Sequence, residues 1–360
     1  MISRVLRFSA TAPLLVFPLV SAGCSSGAAE SGRDSGANPD GGVLGAPEGA
    51  SGGVTGTGDG AAAASPDGSA LAADASLGDA SHPATGVDAS SADANGGSAP
   101  TDASGESAIA GWTLTWSDEF NGADGSAVDP TKWKHDVGGT GWGNNELEYY
   151  TDGTQNAVVE GGYLVVTATT EGASQYQCSY GTCSYTSARL LTQGLFSQQY
   201  GRFEARVQMP TGQGLWPAVW MLGDDISTVS WPACGEIDFM ETIGSDITTN
   251  HGSLHMPTNY GPTGTYTLPN NASFADAFHT FAVEWEPGTV SFYVDDEVYE
   301  TQAQSSVPAG DTWEFDTPFF LLINVAVGGS WPGSPDSTTT FPQTMKVDWV
   351  RVYQKNMTEP

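Results

Sequence analysis

Residues 231–242 read WPACGEIDFMET, and this stretch leaves the backbone little choice. Three acids, Glu236, Asp238 and Glu241, interleave with the apolar Ile237, Phe239 and Met240. Acidic and apolar residues alternating with period two describe a strand with one wet face and one core face. Glu236 and Asp238, at i and i+2, share a face. Glu241, at i+5, would point the wrong way on a regular strand. One extra residue, a β-bulge at Phe239-Met240, returns it to the side of the other two.

The same grammar runs through residues 111–360. Short segments rich in Val, Tyr, Phe, Trp and Thr recur between clusters of Gly, Asn, Asp and Pro: 163–170, 201–209, 278–285, 289–294, 319–325 and 346–353. Residues 290–299, VSFYVDDEVY, read as a hairpin turning at Asp295-Asp296. Outside residues 1–24 no apolar stripe of period 3.6 persists beyond about two turns. The pattern predicts an all-β fold, a two-sheet antiparallel β-sandwich or jelly roll. About 250 residues suit one domain of that kind.

Two other segments precede it. Residues 1–24 read as a secretion signal: Arg4 and Arg7, then an apolar run at 12–20 too short for a permanent membrane anchor. The run ends in Ser21-Ala22-Gly23-Cys24, which resembles the lipoprotein box of bacteria, although Ser21 stands where such signals usually carry an aliphatic residue. Cys24 is therefore expected to carry an outer-membrane lipid anchor, with ordinary cleavage and release as the alternative. Residues 25–110 are mostly Gly, Ala, Ser and Asp, with no Phe, Trp or Tyr and 12 acidic residues against one basic. Such a segment buries too little apolar surface to offset chain entropy and is expected to be a disordered spacer. The expected location is extracellular or on the bacterial cell surface.

Residues 111–360 carry 30 acidic and 8 basic side chains. That balance argues against nucleic acid and anionic membranes as partners and leaves a neutral polymer acceptable. Cys178 and Cys183 flank a short Gly-containing loop and are expected to form a disulfide, as an oxidising compartment allows. Cys234 is left over as a buried thiol. No Cys-His pair with an orienting third group makes it a nucleophile. His251 and His255 lie four apart, but on a segment that reads as a strand and without H-E-x-x-H, so a zinc pair is not expected.

Carboxylates at i and i+2 on one face repel, a cost without purpose unless one of them holds a proton. Trp216, Trp220 and Trp231 crowd the acidic strand in sequence, and indole rings are platforms on which pyranose faces stack. Positions i and i+4 of a regular strand lie about 13 Å apart, at ~3.3 Å per residue. Two Glu side chains leaning inward over Asp238 can then bring their carboxyls to the ~5–5.5 Å of retaining glycoside hydrolysis.

The acidic strand resembles that of glycoside hydrolase family 16, in the bulged E-x-D-x-x-E form of laminarinase-like endo-1,3-β-glucanases. Other blocks are similar in the same order: WSDEFNG at 116–122, WGNNELEYYT at 142–151, GRFEAR at 201–206, GLWPAVWMLG at 214–223, and residues 319–333 and 347–354. The resemblance implies a concanavalin-like jelly roll with a concave cleft, and an enzyme that needs no cofactor for catalysis. It implies Glu236 as nucleophile, Glu241 as acid/base and Asp238 as the hydrogen-bonding partner that sets the nucleophile's ionisation. Asn145, Arg206, Trp216, Trp220, Trp231 and His255 would contact substrate, with an ion pair to a neighbouring strand as the other role open to Arg206. A structural calcium would take Asp348, with backbone carbonyls near Glu119 and Gly162. The partner would be β-glucan and the protein a monomer. β-Galactan hydrolysis, as in agarases and carrageenases, and non-catalytic glucan binding are the alternatives. All three acids are present, which favours the enzyme.

Overall fold

The computed structural model describes residues 109–257 and 263–356. The expected signal, and all but the last two residues of the expected spacer, lie outside the described residues.

Two antiparallel sheets pack face to face. The first runs in the order Glu297–Ala303, Thr289–Val294, His279–Glu286, Gly201–Gln208, Gln343–Lys355, Tyr163–Ala168, Ala157–Glu160, with Trp112–Asp118 also paired to Gln343–Lys355. The second runs Thr263–Thr267, Thr249–His255, Glu236–Glu241, Leu215–Gly223, Phe319–Val327, Arg189–Leu191, Lys134–Asp136. The chain crosses between the sheets repeatedly, as from Gly201–Gln208 to Leu215–Gly223, from Thr263–Thr267 to His279–Glu286 and from Phe319–Val327 to Gln343–Lys355, and this is the jelly-roll habit the alternation predicted.

Period two decides which residues enter the core. On Leu215–Gly223, Leu215, Val219 and Met221 enter the inter-sheet core, while Trp216, Ala218, Trp220 and Leu222 face a cavity on the sheet's other side. Phe319–Val327 is buried along its whole length, but on two faces. Phe319, Leu321, Ile323, Val325 and Val327 belong to the inter-sheet core. Phe320 and Leu322 join Leu191, Leu222 and Cys234 in a small apolar cluster, and Asn324 and Ala326 line the cavity. Each large apolar side chain so buried contributes about 1.5–3 kcal/mol.

Gly252 lies too near the facing sheet to carry a side chain. A Cβ on Gly252 would sit 2.8 Å from the Phe292 ring and closer still to Tyr299 Oη. The 290–299 hairpin turns at Asp295 (φ 49°) and Asp296 (φ 64°), as its sequence indicated. Asp is among the few residues that tolerate such angles. Cys178 and Cys183 are joined in a disulfide, and Cys234 is a buried free thiol. Burial, then the nearby carboxylates Asp225 and Glu236, push that thiol up to about 11, so it is inert at neutral pH.

Candidate active site

The expected bulge lies on the strand Glu236–Glu241. Val219 pairs with Met240 but Trp220 pairs with Asp238, which leaves Phe239 as the extra residue. On the other side the register jumps from Asp238↔Ser253 to Glu241↔His251. Phe239 and Met240, adjacent in sequence, both enter the core, and all three acids line the cavity. The extra residue also frees backbone groups that the ladder would have satisfied. Asn250 takes them: its Oδ1 accepts the Glu241 N–H at 3.0 Å and its Nδ2 donates to Phe239 O at 3.2 Å. The same Nδ2 reaches Tyr299 Oη at 3.1 Å, and Asn250 is fully buried. The sequence reading missed Asn250, because an amide nine residues beyond Glu241 carries no periodic signal.

The cavity holds about 750 Å³. Each glutamate of the acidic strand accepts an indole N–H. Trp231 Nε1 donates to Glu236 Oε2 at 2.8 Å, and Trp216 Nε1 donates to Glu241 Oε1 at 2.9 Å. His255 Nε2 lies 3.0 Å from Asp238 Oδ2 and 3.8 Å from Glu236 Oε1. Glu236, Asp238 and His255 are also the one group among the described residues with three metal-competent side chains, their ligand atoms within 4.8 Å of one another.

Three carboxyls this close cannot all ionise. Burial raises Asp238 to about 8, against a hydrogen bond with Glu236 that works the other way. Burial, then the charge of Asp238, raises Glu241 to about 8, with the Trp216 N–H opposing. Burial and the neighbouring charge of Asp238 push Glu236 upward too, while His255 and the Trp231 N–H pull it down. A proton on Asp238 removes the repulsion on Glu236 and turns Asp238 into a donor. Burial and mutual repulsion together keep protons on this carboxyl cluster near neutral pH.

Trp216, Trp220, Trp231 and His255 all line the cavity. Trp231 is the most open of them, at 56% exposed. Two of the expected substrate contacts, Arg206 and Asn145, do not line the cavity. Arg206 lies on Gly201–Gln208, in the other sheet, where it pairs with Asp348 and stacks on Phe278 at 4.9 Å. An arginine within a strand says nothing about which sheet receives it. Asn145 (φ 59°) stands at the rim and donates to Ser330 Oγ at 3.0 Å, while its neighbour Asn144 lines the cavity. In the calcium set, Asp348 has Arg206 as its partner and Glu119 is held in a fork by Arg351 Nε and Nη2, at 2.9 and 2.7 Å. Gly162 keeps φ 79° in the turn between Ala157–Glu160 and Tyr163–Ala168. Both carboxylates thus already have a cation, and an ion at Asp348 would compete with Arg206.

Other lining residues went unremarked in the sequence. The Arg189 guanidinium lies 4.9 Å from the ring of Trp142 and 4.9 Å from that of Trp220, and it pairs with Asp136 at 3.0 Å. Trp331 meets Trp216 and His251 edge-on, at 5.4 and 4.9 Å. Trp220 Nε1 donates to Asn324 Oδ1 at 2.7 Å. A bowl of indole faces around a proton-sharing carboxyl cluster suits stacking and cleaving a sugar chain.

Comparison with known proteins agrees. The family model for glycosyl hydrolases family 16 matches residues 142–351. A beta-glucanase of Rhodothermus marinus is 42% identical over 258 residues, covering 68% of this chain and 85% of its own. A glucan endo-1,3-beta-glucosidase of Cryptopygus antarcticus is 34% identical over 271 residues, 69% of this chain and 94% of its own. Among solved structures, the catalytic domain of an endo-1,3-beta-glucanase (laminarinase) from Thermotoga petrophila superposes with a TM-score of 0.64 at 45% identity, covering 68% of this chain and 99% of that one. With its fold, its acidic strand and these relatives in accord, the chain belongs to glycosyl hydrolases family 16 and is a glycoside hydrolase.

Proposed function

We propose that the protein is an endo-acting, retaining glycoside hydrolase that cuts internal β-1,3 linkages of laminarin-type β-glucan. The observation that carries this reading is the bulged strand, on which Glu236, Asp238 and Glu241 face one tryptophan-lined cavity, each glutamate held by an indole N–H. The similarity to laminarinases and endo-1,3-β-glucanases supports the linkage.

In the first step Glu236 attacks the anomeric carbon while Glu241 gives its proton to the leaving glycosidic oxygen. The C–O bond breaks and a glycosyl ester forms on Glu236. In the second step water attacks the same carbon, Glu241 takes its proton, and Glu236 leaves as a carboxylate. Two inversions retain the configuration. Asp238, protonated, donates to Glu236 and keeps the negative charge where the attack begins. Glu241 meets the requirement for an acid because its burial holds the proton near neutral pH. With Glu236 held as an ester, its negative charge no longer opposes a charge on Glu241, and Glu241 can act as base.

Similarity to a keratan-sulfate endo-1,4-beta-galactosidase and to a beta-1,3-glucan-binding protein keeps galactan hydrolysis and pure binding as the competing outcomes. Incubation with laminarin, lichenan, agarose and carrageenan, scoring new reducing ends and product sizes, decides among them. Oligosaccharides released early from laminarin are expected. Cleavage of agarose or carrageenan alone, or binding without cleavage, would overturn the reading.

The same reading includes export by residues 1–24, a lipid on Cys24, a spacer over 25–110 and action as a monomer outside the cell. Metabolic labelling with a fatty acid, lost in Cys24→Ala, tests the anchor. A calcium ion at Asp348, with carbonyls near Glu119 and Gly162, would be structural and remote from the chemistry.

A further inference from the structure

The WGNNELEYYT segment carries a buried acid pair that the reaction scheme does not use. Glu148 is fully buried and Glu146 is 5% exposed. Glu148 Oε2 accepts the Val327 N–H at 2.6 Å. Glu148 Oε1 is buried and meets no N–H or hydroxyl donor, and the carboxyl it does meet is Glu146. Two neighbouring carboxyls, one fully buried with an oxygen that meets no donor and the other at the cavity wall, are satisfied by a proton between them.

The hydrogen bonds around the pair run one way. Trp220 Nε1 donates to Asn324 Oδ1 at 2.7 Å. Asn324 Nδ2 donates to Tyr150 Oη at 3.2 Å. Tyr150 Oη donates to Glu146 Oε2 at 3.1 Å, and Asn144 Nδ2 donates to Glu146 Oε1 at 3.2 Å. Both side-chain donors end on Glu146, whereas Glu148 accepts only the Val327 N–H, on the oxygen turned from the one that meets no donor. An amide has its oxygen and nitrogen on opposite branches, so Asn324 must face Trp220 with one and Tyr150 with the other. The tyrosine hydroxyl, having accepted from Asn324, keeps its proton for Glu146. Glu146 must then be the ionised partner and Glu148 the protonated one. The indole at the far end of this chain stands in register with Asp238 and forms one side of the Trp142–Arg189–Trp220 stack.

We infer that Glu146 and Glu148 are positioning residues: a carboxyl pair sharing one proton anchors the chain from Trp220 through Asn324 and Tyr150, and so fixes the Trp220 ring and the Arg189 guanidinium against the sugar units flanking the cut. The inference rests on the glucanase reading for its substrate, but the relay itself does not.

The test compares kcat and KM on laminarin for Glu146→Gln, Tyr150→Phe, their double variant, Glu148→Gln and Glu148→Leu. Glu146→Gln and Tyr150→Phe should each raise KM about tenfold with kcat within about threefold, the mark of lost binding, not lost chemistry. Groups acting through one chain are non-additive, so the double variant should be no worse than the worse single. Glu148→Gln keeps an N–H for Glu146 and an acceptor for Val327, and should rescue the KM that Glu148→Leu loses. If Glu148→Leu fails to fold, the Glu146–Tyr150 cycle decides alone. Multiplying effects in the double variant, a fall in kcat at unchanged KM, or Glu148→Gln as damaging as Glu148→Leu would overturn the relay. A wild type that leaves laminarin uncut fails the functional reading instead. The relay is then scored by calorimetric Kd for whichever polysaccharide of the panel the wild type binds or cuts.

Discussion

Trp216 and Glu241 sit on neighbouring strands, and the indole N–H of the one holds the carboxyl of the other at 2.9 Å. Trp231 makes the matching bond to Glu236 from a loop. A donor favours the charged form of a carboxyl. Replacing either tryptophan by Phe should therefore raise the pKa of its own glutamate. Trp216→Phe should move the alkaline limb of kcat/KM to higher pH, and Trp231→Phe should move the acid limb to higher pH, each by roughly half a unit to one unit. A pH–rate profile of the two variants checks the pairing, and limbs that shift the other way round would reverse the roles of the glutamates.

For the wild type, Glu241 loses its proton near pH 8. The expected kcat/KM falls about tenfold per unit above that point, because only the protonated acid can assist the leaving oxygen. An enzyme fully active at pH 10 would refute the assignment of the acid.

Glu236→Gln and Glu241→Gln should each lower kcat by roughly a thousandfold or more. They should also stabilise the fold. A carboxyl whose folded pKa is raised costs nothing below its ordinary pKa, and its full cost is present once the pH passes the folded value. Glu241 rises from 4.5 to about 8, so the cost sets in between those limits and is complete above them. Glu241→Gln should gain on the order of 1–3 kcal/mol at pH 9 and nothing at pH 4. Scanning calorimetry at the two pH values would show a melting point several degrees higher at pH 9 only.

Asn250→Ala removes the side chain that satisfies the bulge. Two buried backbone groups lose their partner, at about 1–3 kcal/mol each, and Glu241 loses the constraint on its main chain. A lower melting point together with at least a tenfold drop in kcat is expected. Loss of stability with unchanged kcat would mean that the bulge holds itself.

If calcium binds at Asp348, melting in excess ion should exceed melting in chelator, by the equivalent of about 2.7 kcal/mol at one hundred times Kd. Arg206→Gln should enlarge the difference, because the ion then meets no competing guanidinium. Coincident melting curves for both proteins would remove the calcium site.

Much of the site is local in sequence. Glu236, Asp238 and Glu241 share a face because of period two plus one residue, which is countable along the chain. The neighbouring strand Leu215–Gly223 aligns Trp216, Ala218 and Trp220 by the same count. Its two tryptophans could be read as sugar platforms without knowing what they touch. The hairpin at Asp295-Asp296 and the Cys178–Cys183 bond were equally legible, since both close over a few residues.

Partnerships between distant strands were not legible. Asn324 meets Tyr150 across 174 positions, and Arg189 enters between Trp142 and Trp220 from a strand three residues long. Arg206 shows the converse: its strand was readable, but its sheet was not. The chain alone determined which faces are apolar and where the acids bunch, because alternation is a property of successive residues. Only the tertiary structure decided which amide braces the bulge, which indole restrains which acid, and which arginine enters between two tryptophans. Those follow from how close two strands come, and that distance is set by packing, not by order along the chain.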